Sequence, residues 1–102
     1  MSLSIRNVSD SDEERVESLF SETEKEVMEY LVEHPEMSYS DIAKERGVSR
    51  GAVNNAVARI RDKTRVALVT LSESPHTEEV AKEFDEEVLT EVVSRIKAGS
   101  DV

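Results

Sequence analysis

The 102-residue sequence predicts an all-α protein: a tri-helical core followed by one or two amphipathic helices. Three observations predict it. Between Ser21 and Arg61, apolar residues recur at helical spacing in stretches bounded by capping residues, by Pro35 and by Gly47. The last two of these stretches are separated only by "GVS", Gly47 to Ser49, a turn that brings two helices together directly. Val80, Phe84, Val88, Val92 and Ile96 then recur every four residues, which is one face of a helix.

The elements follow in order. Residues 1–13 are polar and rich in Ser and Asp, and read as a flexible tail. Residues 14–20 are weakly helical, with Val16, Leu19 and Phe20 on one side. Ser21 and Glu24 fit a capping box, in which each side chain satisfies an orphan N–H of the other residue, and Val27, Met28, Tyr30 and Leu31 follow at helical spacing. Phe20, before the cap, is placed to pack back on the first turn. Pro35 ends this helix, because the residue before a proline avoids the helical region. Ser38 is the expected cap of a helix over Tyr39 to Arg46, with Ile42 and Ala43 inward. Gly47 is its left-handed stop, Val48 the apolar residue that helps lock the turn, and Ser49 the next cap. Val53, Ala56, Val57 and Ile60 then form an i, i+3, i+4, i+7 stripe.

Residues 64–71, "TRVALVTL", have a strand-like composition, and a short wing there is the alternative architecture, a winged helix. "SESPHTEEVAKEF" after it reads as a helix start, with Ser74 or Thr77 as cap, and leaves no returning strand. Continuation of the third helix to about Leu71 is therefore expected. The C-terminal stripe is one long helix or two with a break near Asp85. The expected division is a core unit at 14–72, a C-terminal helical segment for dimerisation or packing at 73–98, and a tail at 99–102.

Composition excludes several classes of function. There is no Cys and there are two His, so neither thiolate chemistry nor a Cys- or His-based metal site is expected, and no nucleophile–base set or phosphate loop stands out. No cofactor, no metal and no enzyme activity are expected. No apolar run approaches the ~20 residues that span a bilayer, and the N-terminus lacks the apolar core of a secretory signal. A soluble cytoplasmic protein is the expectation.

Charge is the most informative property. The net formal charge is −10, yet residues 38–65 hold seven cations against three acids, +4, and the rest of the chain carries −14. Such asymmetry points to a polyanion-binding face. Arg exceeds Lys, and the acidic remainder suits a salt-rich cytoplasm, where self-repulsion is screened; a halophilic source is expected.

A helix, a tight turn and a second helix suit DNA for physical reasons. The first helix braces the second at a steep angle, and the second enters the major groove with its N-terminal residues at the base edges. Arg grips guanine through two hydrogen bonds, and Asn does the same for adenine. Arg50, Asn54 and Asn55 are thus the candidate base readers, with Gly51 and Ala58 small enough for close approach. Ser38, Ser49, Arg59, Arg61, Lys63 and Arg65 are the candidate phosphate contacts, which position without specifying sequence.

At these residues the chain resembles helix-turn-helix transcription factors, in particular LuxR-type regulators and region four of bacterial sigma factors. "FSETEKEVMEYLVEH" is similar to their first helix, and "SYSDIAKERGVSRGAVNNAVARIRDK" to the following pair. Arg46 departs from the pattern, standing where those families place a buried Leu. The resemblance implies double-stranded DNA as partner and a transcriptional regulator, here of a salt-loving archaeal type. A homodimer through Val80, Phe84, Val88, Val92 and Ile96 is expected, because one such unit commonly needs a second to read two half-sites. The competing expectation is a protein-interaction module that docks on transcription machinery.

Overall fold

A computed structural model describes residues 10–100. Six helices follow one another: α1 (Asp10–Ser18), α2 (Glu22–Glu33), α3 (Tyr39–Arg46), α4 (Arg50–Glu73), α5 (Thr77–Ala81) and α6 (Glu86–Ser100). There is no strand among the described residues. The fold is all-α, as the periodicity predicts. Residues 1–9, read as tail, lie outside the described residues, but Asp10–Glu13 belong to α1. At the other end Gly99 and Ser100 continue α6, and residues 101–102 lie outside the described residues.

Local chemistry sets the ends of α2, α3 and α4. Ser21 and Glu24 form a capping box. Ser38 and Asp41 form a second, the Ser38 hydroxyl accepting from the Asp41 N–H at 3.1 Å and the Asp41 carboxylate accepting from the Ser38 N–H at 3.0 Å. Gly47 sits at φ 69°, ψ 34°, the left-handed conformation that glycine reaches without a Cβ clash. The turn is closed by backbone, with the Gly47 N–H on the Lys44 carbonyl (3.3 Å) and the Val48 N–H on the Ala43 carbonyl (3.0 Å). Val48, expected with Val53, Ala56 and Val57 to lock the angle between the two helices, is 37% exposed, the most exposed of the four, and the backbone bonds close the turn. The Ser49 hydroxyl accepts from the Ala52 N–H at 3.0 Å and starts α4.

The core is small. Val27 of α2, Ile42 and Ala43 of α3, and Val53, Ala56 and Val57 of α4 are buried, with Tyr30, Leu31, Met37 and Ile60 packed around them. Both α2 and α3 pack on the first half of α4. Ala43 and Ala56 keep the interhelical distance short, and Ile42 and Val53 fill the space between with no exposed surface.

Residues 64–71 are helical, so the wing is absent. Ser49 nucleates α4 and the core stripe holds its first half, after which each further residue adds one hydrogen bond for one pair of fixed dihedrals. The threonines that make this stretch look like a strand return their hydroxyls to the carbonyls four residues back, Thr64 to Ile60 (2.9 Å) and Thr70 to Val66 (2.7 Å). Beyond α4 the expected caps act differently. The Ser74 hydroxyl accepts from the His76 N–H, and the Thr77 hydroxyl donates to the Leu71 carbonyl, so both close the end of α4 rather than open α5. Pro75 precedes α5, which starts at Thr77 after His76. The break before α6 falls at Asp85, whose Oδ1 accepts from the Glu87 N–H at 2.9 Å.

Candidate nucleic-acid interface

The core fixes which side of α4 is free. Val53, Ala56 and Val57 point at α2 and α3, while Arg50, Gly51, Asn54, Asn55, Ala58, Arg59, Arg61 and Arg65 are all exposed. At 3.6 residues per turn, Arg50, Asn54, Ala58, Arg61 and Arg65 fall within roughly 80° of arc, a single strip along the helix. Gly51 borders it. Asn55 and Arg59 lie about 100° and 140° round from Asn54, so the helix does not bring them onto the same strip. Among the described residues, none of Arg50, Arg59, Arg61 and Arg65 forms an ion pair within the chain.

Two cations of the basic segment have other work. Lys63 was expected at phosphate. Its ammonium instead donates to the Leu19 carbonyl at 2.6 Å and to the Glu24 carboxylate, and lies 5.2 Å from the centre of the Phe20 ring. Glu24 is 2% exposed and serves its own capping box at the same time. The hydrogen bond from Lys63, with those from Ser21, holds the Glu24 carboxyl below its ordinary pKa despite burial. Arg46 pairs with Glu26 and ties the end of α3 to α2. Its side chain is 20% exposed, the charge met by Glu26 while the stem is covered by the helices. Sequence spacing hides both pairs: Lys63 and Glu24 are 39 residues apart.

Ser38 and Ser49 are exposed at the N-termini of α3 and α4. Each hydroxyl accepts a backbone N–H and keeps its own O–H to donate. The partial positive charge of a helix N-terminus favours an anion near each. Gly51 is not demanded by the fold, since an added Cβ would meet only the Ser49 hydroxyl, at an ordinary 3.8 Å.

Among the described residues there is no group of His, Asp and Glu able to hold a metal ion, and no helix long and apolar enough to cross a membrane. The Asp41 carboxyl is also held below its ordinary pKa, by the backbone and hydroxyl of Ser38, a capping role.

No curated protein and no solved structure matches the chain. Residues 20–63 match the family model described as winged helix-turn-helix DNA-binding. That span runs from the Phe20 ring through α2, α3 and the first half of α4, and ends at Lys63, where a wing would begin and where this chain continues as helix. The narrower likeness to LuxR-type and sigma-factor regulators is not part of that match. Geometry and family match together support residues 20–63 as a helix-turn-helix DNA-binding domain.

Proposed function

We propose that the chain is a sequence-specific transcriptional regulator that reads the major groove with residues 50–61 of α4 and acts as a dimer. The observation that carries this reading is the strip of Arg50, Asn54, Ala58, Arg61 and Arg65, exposed and, among the described residues, without ion pairs, in a chain of net charge −10. Arg50 and Asn54 stand nearest the N-terminus of α4 and suit base edges, with Gly51 and Ala58 admitting the backbone to the groove floor. Asn55 reaches base edges at the side of the groove. Arg61 and Arg65 suit one phosphate wall and Arg59 the other, with Ser38 and Ser49 donating at the helix starts. Lys63 is left out of the phosphate set because its ammonium is held by the Glu24 carboxylate and the Leu19 carbonyl of the same chain. The second protomer is held through the C-terminal segment with Val80, Phe84, Val88, Val92 and Ile96, and the protein works in the cytoplasm of a salt-rich cell.

The test is selection of genomic DNA fragments at molar potassium by the wild type and by an Arg50→Ala/Asn54→Ala variant of unchanged helicity. The wild type should enrich a defined site and the variant should lose that enrichment, each lost bidentate contact costing about 1–3 kcal/mol. Equal behaviour of the two would instead assign the domain to docking on transcription machinery.

A further inference from the structure

The second half of α4 has no cover. Val66, Leu68, Val69 and Leu71 are between 44% and 57% exposed. At 100° per residue they fall on all sides of the helix, a distribution that belongs in the middle of an assembly. On α6, Val92, Val93 and Ile96 are between 41% and 48% exposed, and no residue of that helix is fully buried. A 15-residue helix is marginal in water without a packed face.

We propose that these surfaces meet a second copy of this chain, with α6 antiparallel to its counterpart across a two-fold axis between Val92 and Val93, and with the distal half of α4 buried beneath the pair. This deepens the dimeric reading given above by naming the interface and its direction. Charge favours a copy of the same chain. The first half of α6 is acidic, with Glu86, Glu87 and Glu91, and the second half basic, with Arg95 and Lys97. Glu91 and Arg95 border one edge of the apolar stripe, Glu86 and Lys97 the other. An antiparallel pair brings like edges together. It sets Leu89 against the partner's Ile96, Glu91 beside the partner's Arg95, and Glu86 near the partner's Lys97. A parallel pair would place the two acidic first turns side by side.

The arrangement also suits the DNA. From Asn54 to Val69, α4 rises about 22 Å. Two such arms diverging from a common axis can reach the ~34 Å between successive turns of the major groove. One unbroken helix then carries both base contacts and dimer contacts, with no hinge between them.

The chain has no Cys, so single cysteines report directly on neighbours. Full-length Val93→Cys, Leu89→Cys and Ile96→Cys proteins would be oxidised gently, each alone, and the last two also mixed. Val93→Cys should become a disulfide-linked dimer. Leu89→Cys and Ile96→Cys should each stay unlinked alone and link when mixed. Sedimentation in molar potassium chloride should give twice the monomer mass for the wild type, and the monomer mass for Val69→Asp with helicity unchanged. Self-linking of both Leu89→Cys and Ile96→Cys would overturn the antiparallel arrangement. A monomeric wild type would overturn the second copy as occupant, and a dimeric Val69→Asp would remove α4 from the interface. None of these readouts involves DNA, and Arg50→Ala/Asn54→Ala should remain dimeric, so failure here is distinct from failure of the DNA-reading assignment.

Discussion

Glu24 shows how much one side chain can hold. It caps α2 with Ser21 and receives the Lys63 ammonium, which in turn reaches the Leu19 carbonyl at the start of the α1–α2 connection. Its folded pKa is lowered, chiefly by the hydrogen bond from Lys63. Asp41 is lowered by the backbone and hydroxyl of Ser38. Unfolding therefore takes up protons as the pH falls below the ordinary values of about 4.5 for Glu24 and 3.8 for Asp41. The stability these groups contribute is complete above those values and lost as the pH drops through the lowered folded ones. Lys63→Met should weaken the acid dependence due to Glu24 and cost about 1–3 kcal/mol near neutral pH, since a buried carboxylate loses its partner while half-exposed Lys63 limits the loss. Denaturant melts of both proteins across pH 3 to 7 measure this, and parallel pH profiles would refute it. (The interval brackets roughly the ordinary carboxylate range.) Among the cations of the basic segment, Lys63 and Arg46 could not be sorted from Arg50 or Arg61 by residue type, because the distinction is which side of a helix meets a neighbour.

Single elements carry two competing demands on glycine. Gly47 answers a backbone demand: its φ of 69° is a region that side chains with a Cβ rarely adopt. Gly51 answers none, since an added methyl has room and a helix favours Ala over Gly. The proposed close approach to the groove floor gives a reason for a glycine in the first turn of α4. Gly51→Ala should raise stability by up to about 1 kcal/mol and weaken binding to the selected DNA site. Thermal melts and a binding titration on the same sample decide it; a stabilised protein with unchanged affinity would remove Gly51 from the interface. The element ends themselves were legible because caps and breakers act on their nearest neighbours. Ser21, Ser38, Gly47 and Ser49 do what their positions predict. The strand-like Thr64–Leu71 was harder, since its composition favours a strand while its attachment to a nucleated helix favours continuation.

At the scale of the whole molecule, charge decides how the protein meets DNA in salt. Three arginines at phosphates, Arg59, Arg61 and Arg65, would give a binding slope of about −2.7 in log affinity against log salt, through counterion release. The acidic remainder opposes that slope, because carboxylates brought near phosphates take up cations on binding. The slope in potassium titrations should be flatter than this or reversed in sign. A steep ordinary slope would count against uptake of cations at the interface.

The sequence by itself determined the all-α class, the ends of α2 and α3, the start of α4 and the face of α4 that stays free, because helical periodicity, capping and turn formation are interactions within a few residues. Only the tertiary structure decided that Lys63 closes on Glu24, that Arg46 closes on Glu26, that Val48 stays outside, and that the distal half of α4 extends past its own core. Each of these depends on distances between helices far apart in the chain, and those are set by how Ile42, Ala43, Val53 and Ala56 pack rather than by any local pattern.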